Sequence, residues 1–207
     1  PHAGVGRLIA ARRGGPMRIG IVGLGAGTLA VYGRSGDLYR FYEINPQVLQ
    51  IARSEFTFLG ASAAEIQTVL GDARLNMERE PPQNYDILVI DAFSSDSIPV
   101  HLMTREAMGV YLKHLKPDGV IAFHVTNRFL KLAPVVKRIA EPFELHTVLI
   151  ADEAEDSDFS KTDWVLVSRD DALLEREDIA RVAEAIPDIP GLRVWTDDYN
   201  NLFRILK

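Results

Sequence analysis

The sequence predicts an α/β domain built on a doubly wound, mostly parallel sheet of seven strands with an antiparallel last strand. Short apolar runs alternate along most of the chain with segments of helical periodicity, which is typical of parallel strands joined by helical crossovers. The last two runs, 145–150 and 164–168, are instead joined by an acidic loop. Parallel neighbours need a longer, usually helical crossover, so these two strands are expected to be antiparallel.

The predicted strands are apolar runs bounded by turn-forming residues. They cover 18–22, 38–43, 66–70, 85–90, 119–125, 145–150 and 164–168. The fourth run, from Tyr85 to Ile90, is almost wholly apolar, as expected where helices cover both faces of a sheet.

Helices are predicted between these strands from capping residues and periodicity. Asn45 and Pro46 suit the N-cap and the first position of a helix that extends to about residue 55. Thr104 suits the N-cap of a helix whose apolar residues recur at helical spacing. The pair Pro81-Pro82 must end the helix that follows the third strand. Two further helices are expected, one beginning at Thr28 and one over about 130–140.

Length and composition fit one globular domain. The chain has 207 residues, of which 47% are hydrophobic and 25% charged, as in ordinary globular domains. It begins with Pro1 rather than Met, so we interpret residues 1–17 as a lead-in from a missing N-terminal region and 18–207 as a single domain.

The net charge, the absence of cysteine and the lack of a long apolar run limit the classes of function that the chain can have. The net charge of −6 argues against a nucleic-acid binder and favours a cationic substrate. The chain has no cysteine, so neither disulfides nor thiolate metal sites can form. No apolar run is long enough for a transmembrane helix, and no signal peptide pattern is present, so no membrane insertion by this segment is expected.

Three alternating glycines follow the first predicted strand. Gly23, Gly25 and Gly27 allow the backbone to pass close to a ligand, because a β-carbon would occupy that space. Glu43, at the tip of the next strand, is placed to accept hydrogen bonds from a ribose diol. A dinucleotide fingerprint would have its third glycine at position 28, where Thr28 stands. The pattern therefore predicts an adenosine-containing ligand without a pyrophosphate.

Acidic residues stand at the ends of three successive predicted strands, the second to the fourth. Besides Glu43, these are Asp72 after the third strand and Asp91 after the fourth, with Asp96 five residues later. In open α/β sheets, ligands bind beyond the carboxyl ends of the strands, so we expect these acids to surround one site. Each acid alone is also compatible with a turn or a helix cap, Asp72 in particular.

Five ordered motifs resemble those of a known family. They are Gly23-Leu-Gly-Ala-Gly27, Phe41-Tyr-Glu-Ile-Asn-Pro46, Val69-Leu-Gly-Asp-Ala73, Tyr85-Asp-Ile-Leu-Val-Ile-Asp-Ala92 and Leu115-Lys-Pro-Asp-Gly119. Together they resemble the catalytic domain of spermidine synthases, the aminopropyltransferases, and most closely the bacterial spermidine synthase-like proteins, some of which carry this domain behind a membrane region. The resemblance implies the class I methyltransferase-like Rossmann fold.

The resemblance also implies a role for each matching residue. The three glycines would line a sulfonium nucleoside, Glu43 would hold the ribose, and Asp72 with Ala73 would meet the adenine edge. Asp91 would be the catalytic base that deprotonates the attacking amine. Asp96 would assist catalysis and bind the amine, and the far end of a diamine would contact Asp197, Asp198 and Tyr199.

The implied reaction moves an aminopropyl group from decarboxylated S-adenosylmethionine to a polyamine such as putrescine, with no metal. In the family, an aspartate stands where this chain has Ala26, which motivates the alternative of a methyltransferase that uses ordinary S-adenosylmethionine. A non-catalytic nucleoside- or polyamine-sensing module is the third alternative. His101 and His124 lie near the expected cleft, where they are either structural or assist proton transfer.

The partner expected from these features is a small cationic amine, with no nucleic acid. A homodimer is considered as a further partner, and the sequence does not determine the oligomeric state. We expect a cytoplasmic location. A related alternative is that the chain is the cytosolic domain of a larger membrane-associated protein.

Overall fold

The fold is an eight-stranded sheet with helices on both faces. The computed structural model describes residues 4–12, 14–92, 99–152 and 162–207. The strands are Arg18–Val22 (β1), Leu38–Glu43 (β2), Glu65–Leu70 (β3), Tyr85–Ile90 (β4), Leu115–His124 (β5), His146–Asp152 (β6), Thr162–Ser168 (β7) and Ala183–Glu184 (β8).

The order of the strands across the sheet is β3-β2-β1-β4-β5-β7-β6-β8. The first five are parallel, whereas β7 runs antiparallel to both β5 and β6. The predicted doubly wound sheet with an antiparallel seventh strand is therefore confirmed. The two-residue β8 pairs with β6. It was not predicted, because no apolar run marks it in the sequence.

Eight α-helices and four 3₁₀ turns are present in the described part of the chain. The α-helices are Gly4–Ala11 (α1), Pro46–Ser54 (α2), Phe58–Ala61 (α3), Ala73–Arg79 (α4), Arg105–His114 (α5), Ala133–Ala140 (α6), Asp171–Leu174 (α7) and Glu177–Ala180 (α8). The 3₁₀ turns are Thr28–Tyr32, Val100–Leu102, Glu141–Phe143 and Leu202–Ile205.

Two of the predicted helix caps form as expected. The Asn45 side chain accepts a hydrogen bond from the Gln47 amide, and the Thr104 hydroxyl accepts one from the Ala107 amide. Each bond satisfies an amide that has no partner within its own helix.

Two other helices differ from the prediction. Only a 3₁₀ turn forms from Thr28, because the chain changes direction at Gly33. A β-carbon on Gly33 would lie 2.5 Å from the Ser62 hydroxyl, so the chain passes close to Ser62 there. The helix after β5 begins at residue 133 rather than 130, since the Asn127 side chain accepts bonds from the amides of Phe129 and Leu130 and holds them in a turn.

Alternate side chains of the strands fill two cores, one on each face of the sheet. Leu88 and Phe123 lie in the core beneath α4, α5 and α6, and Ile87 and Val89 lie in the other core with α1 and α2. Helix α1, within the segment interpreted as a lead-in, has its apolar side chains buried against β6 and β7. Apolar burial on both faces is the main stabilisation of such a sheet, and it brings the ends of β1 to β4 together at one edge.

Candidate functional site

A hollow of about 480 Å³ opens at the carboxyl edge of the parallel strands. Its wall is formed by the residues that follow β1, β2, β3 and β4, and by the 3₁₀ turn Val100–Leu102. Because β1 lies between β2 and β4, the glycine turn after β1 sits at the centre of this wall.

The glycine turn passes directly against the end of β4. Gly23 has φ of +95°, and a β-carbon there would lie 2.3 Å from the carbonyl oxygen of Asp91. Gly25 has φ of +52° and faces open space, so its backbone forms part of the hollow. Gly27 differs, because a β-carbon there would lie 2.9 Å from Leu59 of α3, and the residue is not part of the wall. Two of the three predicted glycines thus face the hollow, and the third packs against a helix.

Glu43 ties two loops of the site together. Its side chain is 8% exposed, Oε2 accepts a hydrogen bond from the Leu24 amide at 3.0 Å, and Oε1 accepts one from the Asn45 amide at 2.8 Å. Each carboxylate oxygen has a second lone pair that stays available to a ligand hydroxyl. Glu43 therefore both orders the glycine turn and faces the hollow.

Asp72 both caps a helix and lines the hollow. Its Oδ1 accepts a hydrogen bond from the Leu75 amide at 2.9 Å at the start of α4, and Oδ2 lies 2.9 Å from Nε2 of His101. Ala73 lies beside it in the wall. The cap function considered from sequence is real, and it fixes the carboxylate at the edge of the hollow.

Asp91 reaches the hollow from the end of β4. Its side chain is 34% exposed, and Oδ1 lies 2.7 Å from Nδ1 of His124 at the end of β5. The His124 ring stacks on Trp164 with 4.6 Å between ring centroids and 11° between planes. Glu43, Asp72 and Asp91 thus surround one hollow, as the strand order requires.

Of the four other predicted site residues, three lie outside the hollow and one is not described. Asp96 falls in 93–98, outside the described residues. Asp197 forms a two-pronged ion pair with Arg74 and accepts a bond from the Thr104 hydroxyl at 2.8 Å. Asp198 is exposed, and Tyr199 lies under the Arg193 guanidinium, 4.2 Å from its ring centre. None of the last three lines the hollow.

The Arg74 guanidinium holds the pKa of Asp197 below its usual range, because its two N–H groups donate to the carboxylate. In turn, the pKa of Arg74 is raised, and Asp197 is the main cause. The charge of Asp197 is therefore already offset by a neighbour.

Sequence reasoning missed Ile44. This side chain lies in the wall of the hollow and is 67% exposed, which is unusual for a large aliphatic residue next to a buried strand. An apolar surface of this kind suits the face of a purine base. Its position directly after Glu43, the acid at the end of β2, is the signal that was available in the sequence.

Two kinds of feature are absent from the described residues. No group of three or more His, Asp or Glu side chains there is placed to hold a metal ion. No helix in the same residues is both long and apolar enough to cross a bilayer.

Comparison with known proteins supports the motif resemblance. No family model matches the chain. A polyamine aminopropyltransferase from Vibrio vulnificus (strain CMCP6) is 38% identical over 121 residues, which cover 55% of this chain and 38% of that protein's length. The resemblance to the spermidine synthase-like family is confirmed.

Solved structures of spermidine synthases share the fold of this chain. A probable spermidine synthase from Corynebacterium glutamicum matches with a TM-score of 0.69 at 18% identity, over 96% of this chain and 79% of the other. A spermidine synthase in complex with the transition-state analogue AdoDATO matches with a TM-score of 0.58 at 14% identity, over 90% and 64%. O-methyltransferases also share the fold, so the predicted class I methyltransferase-like fold is confirmed.

Proposed function

We propose that this chain is an aminopropyltransferase that moves the aminopropyl group of decarboxylated S-adenosylmethionine to a polyamine such as putrescine. The observation that carries the proposal is the composition of the hollow. Three carboxylates line it together with the glycine turn, and no Lys or Arg is among its described wall residues. Both substrates are cations, and carboxylates offset the repulsion between them.

The donor is placed by the residues around the glycine turn. The ribose hydroxyls bind Glu43, and the adenine lies against Ile44 with its edge toward Asp72 and Ala73. This placement directs the sulfonium toward Asp91, past the backbone of the glycine turn at Gly23 and Gly25. No metal is required for this chemistry.

Asp91 acts as the base. An alkylammonium has no free electron pair, so it becomes a nucleophile only after Asp91 has taken one of its protons. The amine nitrogen then attacks the carbon beside sulfur, and the C–N bond forms as the C–S bond breaks. The electron pair of the broken bond goes to sulfur, which leaves as the neutral thioether methylthioadenosine. Positioning of the two substrates supplies much of the acceleration.

The amine extends away from Asp91. We assign Asp96 as a second acid that assists catalysis and binds the amine, and Asp198 with Tyr199 as contacts for the far end of a diamine. Asp197 contributes less to that end, because Arg74 already offsets its charge. We also propose a cytoplasmic location for the domain, with which a sequence free of cysteine is compatible.

A methyltransferase is the second candidate, and Ala26 favours it, because the family's aspartate for the aminopropyl ammonium is missing there. The two reactions leave different products. The chain is incubated with either decarboxylated or ordinary S-adenosylmethionine and a panel of diamines, and the nucleoside products are separated by mass. We expect methylthioadenosine from the decarboxylated donor. Formation of S-adenosylhomocysteine alone, or no product from either donor, would overturn the proposal.

A pair of variants tests whether Asp91 is the catalytic base. Asp91→Asn should lower kcat by about 10²- to 10⁴-fold, the usual contribution of a general base. Asp171→Asn is the matched control, because Asp171 also contacts a histidine, His146, at 2.9 Å, but on the outer surface. Equal activity of both variants would remove Asp91 from the mechanism.

A further inference from the structure

A line of hydrogen bonds runs behind Asp91, away from the hollow. Nδ1 of His124 lies 2.7 Å from Oδ1 of Asp91, and Nε2 of His124 lies 2.8 Å from Oγ1 of Thr126. The same Oγ1 accepts a hydrogen bond from the Asp163 amide at 2.7 Å. The line therefore joins the end of β4 to the backbone of β7 through the end of β5.

The chemistry of these groups sets the direction of every bond. The Asp91 carboxylate can only accept, so Nδ1 of His124 must carry a hydrogen. In the neutral ring, Nε2 is then an acceptor, and the Thr126 hydroxyl donates to it. The Asp163 amide can only donate, and it donates to the lone pair that Thr126 retains. All three bonds are satisfied with a single tautomer of a neutral ring.

The ring is also held from the side. Trp164 is 3% exposed and lies opposite His124 in the ladder between β5 and β7, with the two rings stacked. Behind it, Gly4 of α1 leaves no room for a β-carbon, which would lie 2.9 Å from Trp164. Stacking on Trp164 thus holds one face of the imidazole, and the two hydrogen bonds of its ring nitrogens fix its rotation.

We propose that His124 is a positioning residue that holds Oδ1 of Asp91 and thereby presents Oδ2 to the substrate amine. The inference rests on the proposed function, in which Asp91 is the base. Among the described residues, Oδ2 of Asp91 has no hydrogen-bond partner, so it is the oxygen left for the amine. The proton from the ammonium goes to Oδ2, and His124 keeps its own hydrogen throughout.

Three variants test this role. His124→Phe keeps a ring against Trp164 but removes the N–H, and it should lower kcat by about 10- to 100-fold, the effect of misplacing a reacting group. The affinity for decarboxylated S-adenosylmethionine should change less than about twofold, since His124 is not in the wall. His124→Asn restores an N–H donor near the position of Nδ1 and should recover much of kcat. His146→Asn is the control, because it removes an exposed His–Asp contact of similar length.

Normal kcat in His124→Phe would overturn the inference while leaving the proposed function intact. An equal loss in His124→Asn and His124→Phe would also overturn it, because an N–H donor near the position of Nδ1 would then not restore kcat.

A measurement that does not depend on turnover distinguishes failure of the His124 inference from failure of the proposed function. Long-range ¹⁵N–¹H NMR of the imidazoles should show His124 as the Nδ1-protonated neutral tautomer near pH 8, and Thr126→Val should disturb that assignment. The Nε2-protonated tautomer would contradict the inference, whether or not any amine is a substrate. Absence of turnover in the unaltered chain, with the Nδ1 tautomer present, would instead count against the proposed function.

Discussion

A β-carbon on Gly23 would lie 2.3 Å from the carbonyl oxygen of Asp91, so the glycine turn and the base share one point of contact. The positive φ of +95° at Gly23 makes any other residue strained as well. Through this contact, the turn that receives the nucleoside also fixes where β4 ends. Binding of the donor and orientation of the base therefore depend on the same backbone.

Gly23→Ala should consequently destabilise the fold and weaken nucleoside binding together. We expect the free energy of unfolding in urea to fall by about 1–3 kcal/mol, the cost of a strained backbone, with additional loss from the clash. Gly60→Ala is the control, since Gly60 lies in α3 with no atom near its missing side chain. If Gly23→Ala is as stable as the unaltered chain, the close approach is wrong.

Ile44→Ala should weaken donor binding without lowering stability. The side chain is 67% exposed in the free protein, so its removal costs the fold little, but a bound adenine would cover it. Loss of two to three buried carbon atoms corresponds to about 1–2 kcal/mol, or roughly a 5- to 30-fold weaker affinity in calorimetry. Ile51→Ala, on the outer side of α2 at 50% exposure, should leave the affinity unchanged. Equal affinities for both variants would place the adenine elsewhere.

Asp197→Asn should lower stability at neutral pH and lose this effect in acid. Hydrogen bonds from Arg74 lower the pKa of Asp197 in the folded state. The carboxylate therefore stabilises the fold above its unfolded pKa of about 3.9, and this contribution disappears as pH falls through the lower folded pKa. Because the carboxylate is 42% exposed and screened by solvent, we expect Asp197→Asn to lower the free energy of unfolding by at most about 1 kcal/mol.

Urea unfolding of both proteins at pH 7 and at pH 3 measures this difference. Asp198→Asn serves as the control, since the neighbouring Asp198 is exposed and has no ion pair within the described residues. A difference between Asp197→Asn and the unaltered chain that stays constant over this pH range would show that the pair contributes no charge interaction.

His114 should make the fold less stable in mild acid. The ring is fully buried, its Nε2 lies 2.7 Å from the Met77 carbonyl oxygen, and burial lowers its pKa. Below about pH 6.5, the unfolded chain binds a proton that the folded ring resists, so the free energy of unfolding decreases as pH falls. His114→Gln should flatten this slope between pH 7 and pH 5. The same slope in His114→Gln and in the unaltered chain would refute the assignment.

The local features of the chain were predictable because their causes are local. Apolar runs such as 85–90 can be buried only as covered strands, and the caps at Asn45 and Thr104 need partners only two or three residues away. The meeting of Glu43, Asp72 and Asp91 was also predictable, because parallel strands place their carboxyl ends at one edge.

Contacts set by register and packing were not predictable. His124 contacts Asp91 because Phe123 lies opposite Ile90 in the ladder between β4 and β5. This strand register could not be predicted from the residue types. Likewise, Arg74 and Asp197 are 123 residues apart, so the ion pair that offsets this acid was invisible in the sequence. Gly27 continues the glycine pattern, yet it faces Leu59 because α3 lies there.

The central claim is that a carboxylate-lined hollow binds a cationic sulfur nucleoside, and isothermal titration with decarboxylated and ordinary S-adenosylmethionine tests it most directly. The two ligands differ only in one carboxylate, which would lie on the sulfonium side of the nucleoside, toward Asp91. We predict that the decarboxylated compound binds at least about tenfold more tightly, which corresponds to about 1.4 kcal/mol of avoided repulsion. Equal or tighter binding of the ordinary compound, or no binding of either, would contradict the claim.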